Sequence, residues 1–240
     1  QGTLFGSGAQ AGAIRYITNK PKLGVTSGDF NANYGVTASG QPNSALNATL
    51  NLPLINDKLA VRGTIFSDSR GGYITNVPGA ISIKGDVSNS NEVTNAGVQG
   101  SDLNTAVYQG FRLSALYEIN EDWNVLLQQN YQNLEAHGYW SEEPMDPNGK
   151  ALKPLEIAAF TPGFDKDKYG STAWTVNGHM GDLTAVYTGS YMVRNIDSQQ
   201  DYSNYARTLG SYYLCSGTGA SPYSSAKPLT CGPPLASDRD

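Results

Sequence analysis

Charge is scarce in this chain. Asp, Glu, Lys and Arg make up 15% of its 240 residues, against about 25% in an ordinary soluble domain. What charge there is leans acidic, with 21 Asp+Glu against 16 Lys+Arg and a formal net charge of -5 at pH 7. That balance excludes a strongly basic nucleic-acid binder. Histidine and cysteine number two each. With His137 and His179 far apart in sequence, they offer no zinc-ligand spacing, and no metal site is expected. No run approaches the roughly 18 apolar residues of a transmembrane helix. The chain opens on Gln1-Gly2-Thr3-Leu4-Phe5-Gly6 with no initiator Met, and no signal peptide is expected. Gly and Pro, at 27 and 12 residues, stay below the level of a low-complexity disordered chain.

Tyrosine and uncharged polar residues fill the space that charge leaves, and they alternate with apolar residues. Successive side chains on a strand point to opposite sides, so alternation with a period of two reads as strand. Phe30, Ala32, Tyr34 and Val36 alternate with Asn and Gly. Leu46 to Leu54, Leu59 to Ile65, Phe111 to Tyr117, Trp123 to Tyr131, Thr172 to Met180 and Leu183 to Val193 repeat the pattern. That makes seven expected strands of about 9–11 residues. Tight turns are expected at Ile55–Lys58, Ile119–Asp122 and Gly181–Asp182, with a short hairpin at Ala38–Asn43. Long connections are expected at Ser67–Gln109, Glu135–Lys168 and beyond Asn195. Long loops without structure of their own are uncommon in compact domains. Short turns alternating with long loops between such strands are the pattern of a transmembrane β-barrel. Trp123, Tyr131, Tyr117, Phe111 and Tyr191 lie near the expected strand ends, where amphipathic rings suit a membrane interface. A soluble β-sandwich also alternates, but its turns come every 8–12 residues or so.

Cys215 and Cys231 flank a Ser/Gly/Pro/Tyr-rich stretch that reads as loop. Their even number suggests a disulfide staple in an oxidising compartment. Gly6-Ser7-Gly8-Ala9-Gln10-Ala11-Gly12 superficially suggests a nucleotide loop, but no strand precedes it and no helix follows. Ala13–Thr18 reads as strand. Glu142-Glu143 and Asp165-Lys166-Asp167 are read as solvated loop charges, because neither a glycosidase pair nor a calcium loop can be assembled from them. No catalytic residue stands out, and no enzyme activity or cofactor is expected. Tyr139 and Trp140, beside His137 in a long loop, are the candidate ligand contacts. An exposed aromatic pair can stack on a ligand, or it can pack the loop.

The run Gln1-Gly2-Thr3-Leu4-Phe5-Gly6-Ser7-Gly8-Ala9-Gln10-Ala11-Gly12-Ala13-Ile14-Arg15-Tyr16-Ile17-Thr18-Asn19-Lys20-Pro21 resembles the end of the plug domain of TonB-dependent outer-membrane receptors. In that family a Gln-Gly-Thr-Leu-Tyr-Gly element leads into Gly-Gly-Ala-Ile-Asn-Ile-Val-Thr-Lys-Lys-Pro and then the first barrel strand. Gly2, Leu4, Gly6, Gly12, Ile14, Thr18 and Pro21 carry the match. It departs at Ala11 and at Arg15-Tyr16. The resemblance implies an all-β fold: residues 1–27 as the end of a plug, and residues 28–240 as about the first seven strands of an antiparallel barrel. The family barrel has about 22 strands, so a fragment of a larger receptor is implied. It further implies a location in the bacterial outer membrane, among outer-membrane lipid. The implied activity is uptake of a scarce small molecule (a ferric siderophore, cobalamin or an oligosaccharide), with the inner-membrane TonB complex moving the plug through a segment upstream of Gln1. The alternatives are a soluble secreted β-sandwich that binds carbohydrate, and a passive porin, which the plug-like opening disfavours.

Overall fold

The computed structural model describes residues 16–82, 92–147, 150–203, 215–216, 230–231 and 237–239. Seven long strands form one antiparallel meander: β1 (Ser27–Val36), β2 (Pro42–Ile55), β3 (Leu59–Arg70), β7 (Ala106–Glu118), β8 (Trp123–His137), β10 (Phe164–Met180) and β11 (Leu183–Asp201). Each pairs with the next in this order. The short strand β14 (Ser237–Arg239) extends the sheet beside β11. The loops contribute β4 (Thr75–Asn76), β5 (Ala80–Ser82), β6 (Glu92–Thr94), β9 (Glu156–Ile157), β12 (Cys215–Ser216) and β13 (Thr230–Cys231). The sheet does not close on itself, since β1 pairs on one side only.

The strands run longer than the alternation alone suggests, from 10 to 19 residues. β8 continues to His137 and β10 begins at Phe164. Asp165, Lys166 and Asp167 are therefore ladder residues rather than loop charges. Arg194 on the neighbouring strand clasps Asp167 with two nitrogens, at 2.9 and 2.5 Å. Tyr191, expected near a strand end, lies mid-strand because β11 extends to Asp201.

Register sorts the side chains onto two faces. One row across the sheet reads Ala48, Ile65, Phe111, Tyr131. Lower rows read Leu52, Val61, Ala115, Leu127, Trp174 and then Leu59, Tyr117, Val125, Val176, Tyr187. This face is apolar yet uncovered: Phe30, Tyr187 and Tyr191 are 69%, 65% and 68% exposed. Its polar pair, Gln129 and Thr172, bond each other at 2.5 Å. The opposite face carries Asn47, Thr49, Asn51, Arg62, Thr64, Arg112, Ser114, Gln128 and Asn130. Its side chains join strand to strand, Thr49 with Thr64 at 2.9 Å and Arg112 with Asn130 at 2.8 Å.

The segment before β1 lies over this polar face. Thr18 accepts a hydrogen bond from Gln128 at 2.9 Å. Asn51, fully buried, accepts from the Lys22 amide and donates to the carbonyls of Lys22 and Val25. Pro21 is buried beside this clasp. Tyr16–Thr18, the described part of the strand expected at Ala13–Thr18, forms no strand. Gly2, Leu4, Gly6, Gly12 and Ile14 lie outside the described residues. Cys215 and Cys231 face each other as backbone partners in β12 and β13; the staple between their side chains lies outside the described structure.

Turn chemistry fits the short end of the sheet. The two-residue link Gly181–Asp182 needs a positive φ, and Gly181 supplies it at 62°. Two tryptophans lie flat over cross-strand glycines, Trp123 over Gly178 and Trp174 over Gly189. A Cβ at Gly178 would sit 2.3 Å from the Trp123 ring. Gly178→Ala should therefore displace Trp123 and destabilise the sheet by about 1–3 kcal/mol. The check is a shift in tryptophan emission together with a lower denaturation midpoint. Unchanged emission would place Trp123 elsewhere.

Candidate functional site

The two long connections, Gly71–Thr105 and Gly138–Gly163, fold against each other rather than apart. β4 and β9 pair in parallel. Ile74, Ile157 and Ala159 form a small buried core, flanked by Tyr73, Tyr139 and Leu155. Three buried asparagines supply what a loop's backbone otherwise lacks. Asn104 accepts from the amides of Tyr73 and Ile74, at 2.6 and 2.7 Å. Asn76 donates to the carbonyls of Val98 and Ala159 and accepts from the Ala159 amide at 2.9 Å. Asn95 donates to the Val77 and Ala159 carbonyls and accepts from the Gly79 amide. The loops also pass backbone against backbone at Gly138 (φ 67°), where a Cβ would meet the Leu103 carbonyl at 2.6 Å. That conformation and that space both require glycine.

Under this interlock lies a cavity of about 680 Å³ at the long-loop end of the polar face. Arg70, Tyr108, Leu134 and Asp165 form its wall. Tyr139, Trp140, Glu143 and Ala158 come from the second loop, and Gln199, Gln200 and Asp201 from the end of β11. Of the sequence candidates, Tyr139 and Trp140 line the cavity. His137 does not: it lies exposed at the end of β8 on the apolar side of the register.

The two aromatics differ in freedom. Tyr139 is committed to the fold, donating to the Thr161 carbonyl at 2.8 Å. Burial, with the Asp201 carboxylate beside it, holds its hydroxyl neutral well above the ordinary tyrosine range. Trp140 is 46% exposed and meets Tyr73 edge-on, with centroids 6.2 Å apart. Arg70 stacks over the Tyr108 ring at 5.3 Å.

The acids here are bound by backbone. Asp201 accepts from the amides of Phe160, Thr161 and Ser203. Glu143 accepts from Ala158 at 3.4 Å, and Glu142 from Leu155 at 2.9 Å. Glu142 lies exposed in the loop, as expected of a solvated charge, and Glu143 is half-buried; both carboxylates also cap loop amides. Arg70, Tyr108, Asp201 and the asparagines went unnoticed in the sequence, because nothing local marks them. Among the described residues no group of three His, Cys, Asp or Glu is arranged to hold a metal ion.

Asn76→Ala should leave the Val98 carbonyl and the Ala159 amide unpaired, at about 1–3 kcal/mol for each buried group. Because Asn76 ties both loops, limited proteolysis should speed up in Gly138–Gly163 as well as in Gly71–Thr105. Faster cutting in the first loop alone would show that the loops are independent. A second test is alkaline. The raised folded-state ionisation of Tyr139 gives stability that is fully present below about pH 10 and lost as pH rises towards the folded value. Tyr139→Phe should therefore lose less loop protection than the parent above about pH 10, read by proteolysis across pH. No protein-family model, curated protein or solved structure matches this chain.

Proposed function

We propose that this chain is the wall of an outer-membrane transporter, a piece of a TonB-dependent receptor that takes up a scarce small molecule through TonB-coupled movement of a plug. One observation carries the reading. The sheet exposes an apolar face and turns a polar face towards the segment that precedes it, which Asn51 and Gln128 hold in place. In water an apolar face of this extent is costly to leave uncovered. In lipid it is the required outer surface. The five rows from Ile65–Phe111–Tyr131 to Trp123–Gly178–Ala185 span about 27 Å along the strands. At a tilt of about 40° that becomes about 21 Å, near the height of an outer-membrane apolar band. The residue pattern of the preceding segment through Pro21 supports a plug, and the interlocked loops with their cavity support capture of a ligand at the outer end.

A β-sandwich would need a second sheet over this face. Among the described residues the other ladders have two strands each. A passive porin would have no use for the clasped segment across its lumen side.

Surface biotinylation of intact cells tests the orientation. Lys150 and Lys153 stand exposed in a long loop, and Lys58 stands exposed in a short turn. The reading expects label on Lys150 or Lys153 and none on Lys58 until the cells are permeabilised. Label on Lys58 alone in intact cells would overturn it.

A further inference from the structure

A second, smaller cavity of about 200 Å³ lies lower on the polar face, where the segment before β1 crosses the sheet. Asn19 lines it from that segment, with Thr49 from β2, Arg62 and Thr64 from β3, and Arg112 and Ser114 from β7 among its walls. Its charge is entirely positive. Arg62 is registered with Ser114, and Thr64 with Arg112, so the two arginines are diagonal neighbours on adjacent strands. Neither has a salt bridge to a carboxylate among the described residues. The nearest acid on this face by register is Asp29, on the edge strand. It stands two strands across and two residues along from Arg62, and three strands from Arg112, about 12 and 14 Å. The crossing segment brings no relief, since the charged residues of Tyr16–Gly28 are Lys20 and Lys22.

Both guanidinium groups open onto the same cavity, with Arg112 also donating through Nε to Asn130 at 2.8 Å, and like charges so placed repel each other. An anion between them removes that cost and gains forked hydrogen bonds. The surrounding groups can add to this. Thr49 and Thr64 share one hydrogen bond at 2.9 Å, which leaves one hydroxyl proton to donate. We propose that Arg62 and Arg112 form an oxyanion-binding site on the polar face, taking a ligand that carries a carboxylate or phosphate group. The proposal needs only the sheet and its register, not the transporter reading. It adds to that reading an anionic station below the loop cavity, of the kind by which cationic side chains select anions along a pore.

Calorimetric titration of the protein in detergent micelles at low salt tests it, with inorganic phosphate and citrate as separate probes and maltose as the neutral control. Phosphate or citrate should bind and maltose should not; which anion binds more tightly distinguishes a phosphate from a carboxylate ligand. Arg62→Gln and Arg112→Gln should each weaken binding about tenfold or more, while Lys58→Gln, in the distant turn, should leave it unchanged. Arg62→Lys and Arg112→Lys keep the charge and lose the fork, so they should weaken binding several-fold and serve if the glutamine variants fail to fold. Absence of anion binding to the parent protein would overturn the site, as would arginine variants, to Gln or to Lys, that bind as the parent does. Neither result would alter the labelling pattern of Lys150, Lys153 and Lys58, so failure here is separable from failure of the transporter reading.

Discussion

The whole molecule depends on one unbroken antiparallel register. Across seven strands, each backbone pairing fixes which side chain points to which side. A one-residue slip between β3 and β7 would carry Arg112 and Ser114 to the apolar face and Phe111, Leu113 and Tyr117 to the polar one. The register is therefore specified by solvation as well as by hydrogen bonds: both faces must be right at once. Trp123 over Gly178 and Trp174 over Gly189 pin it sterically, because each ring needs a partner position with no side chain.

The same register creates both cavities. The long loops leave from one end of the sheet, so they meet above the polar face, and three buried asparagines turn that meeting into a fixed structure. An asparagine can donate and accept at once, which is what two irregular backbones side by side require. The interlock gives Tyr139 and Trp140 different roles. Tyr139 is spent on holding the loop, and Trp140 keeps an open face towards the cavity. Lower down, the register sets Arg62 and Arg112 diagonally together, and the crossing segment closes the space over them.

Much of this organisation was legible in the amino-acid order. The seven strands, the short turns and the apolar positions from Phe30 to Val193 all follow from period-two alternation. The strand ends were not legible. Toward the loops the otherwise apolar face turns polar, as at Asn133, Glu135 and His137 or at Asn195, Asp197 and Gln199, so the alternation fades while the backbone ladder continues. His137 beside Tyr139 and Trp140 looked like one cluster in sequence, yet the ladder ends between them and sends His137 to the other side.

Sequence by itself determined the all-β class, the face each strand residue would take, and the alternation of tight turns with long connections, because these depend on local side-chain period and turn chemistry. Tertiary structure alone decided which distant residues became partners. Asn76 meets Ala159 across 83 positions, Gln128 meets Thr18 across 110, and the two arginines become neighbours only through pairing between strands separated by a 35-residue loop. No local signal encodes such meetings, since each requires two segments to be brought together by a sheet that neither contains.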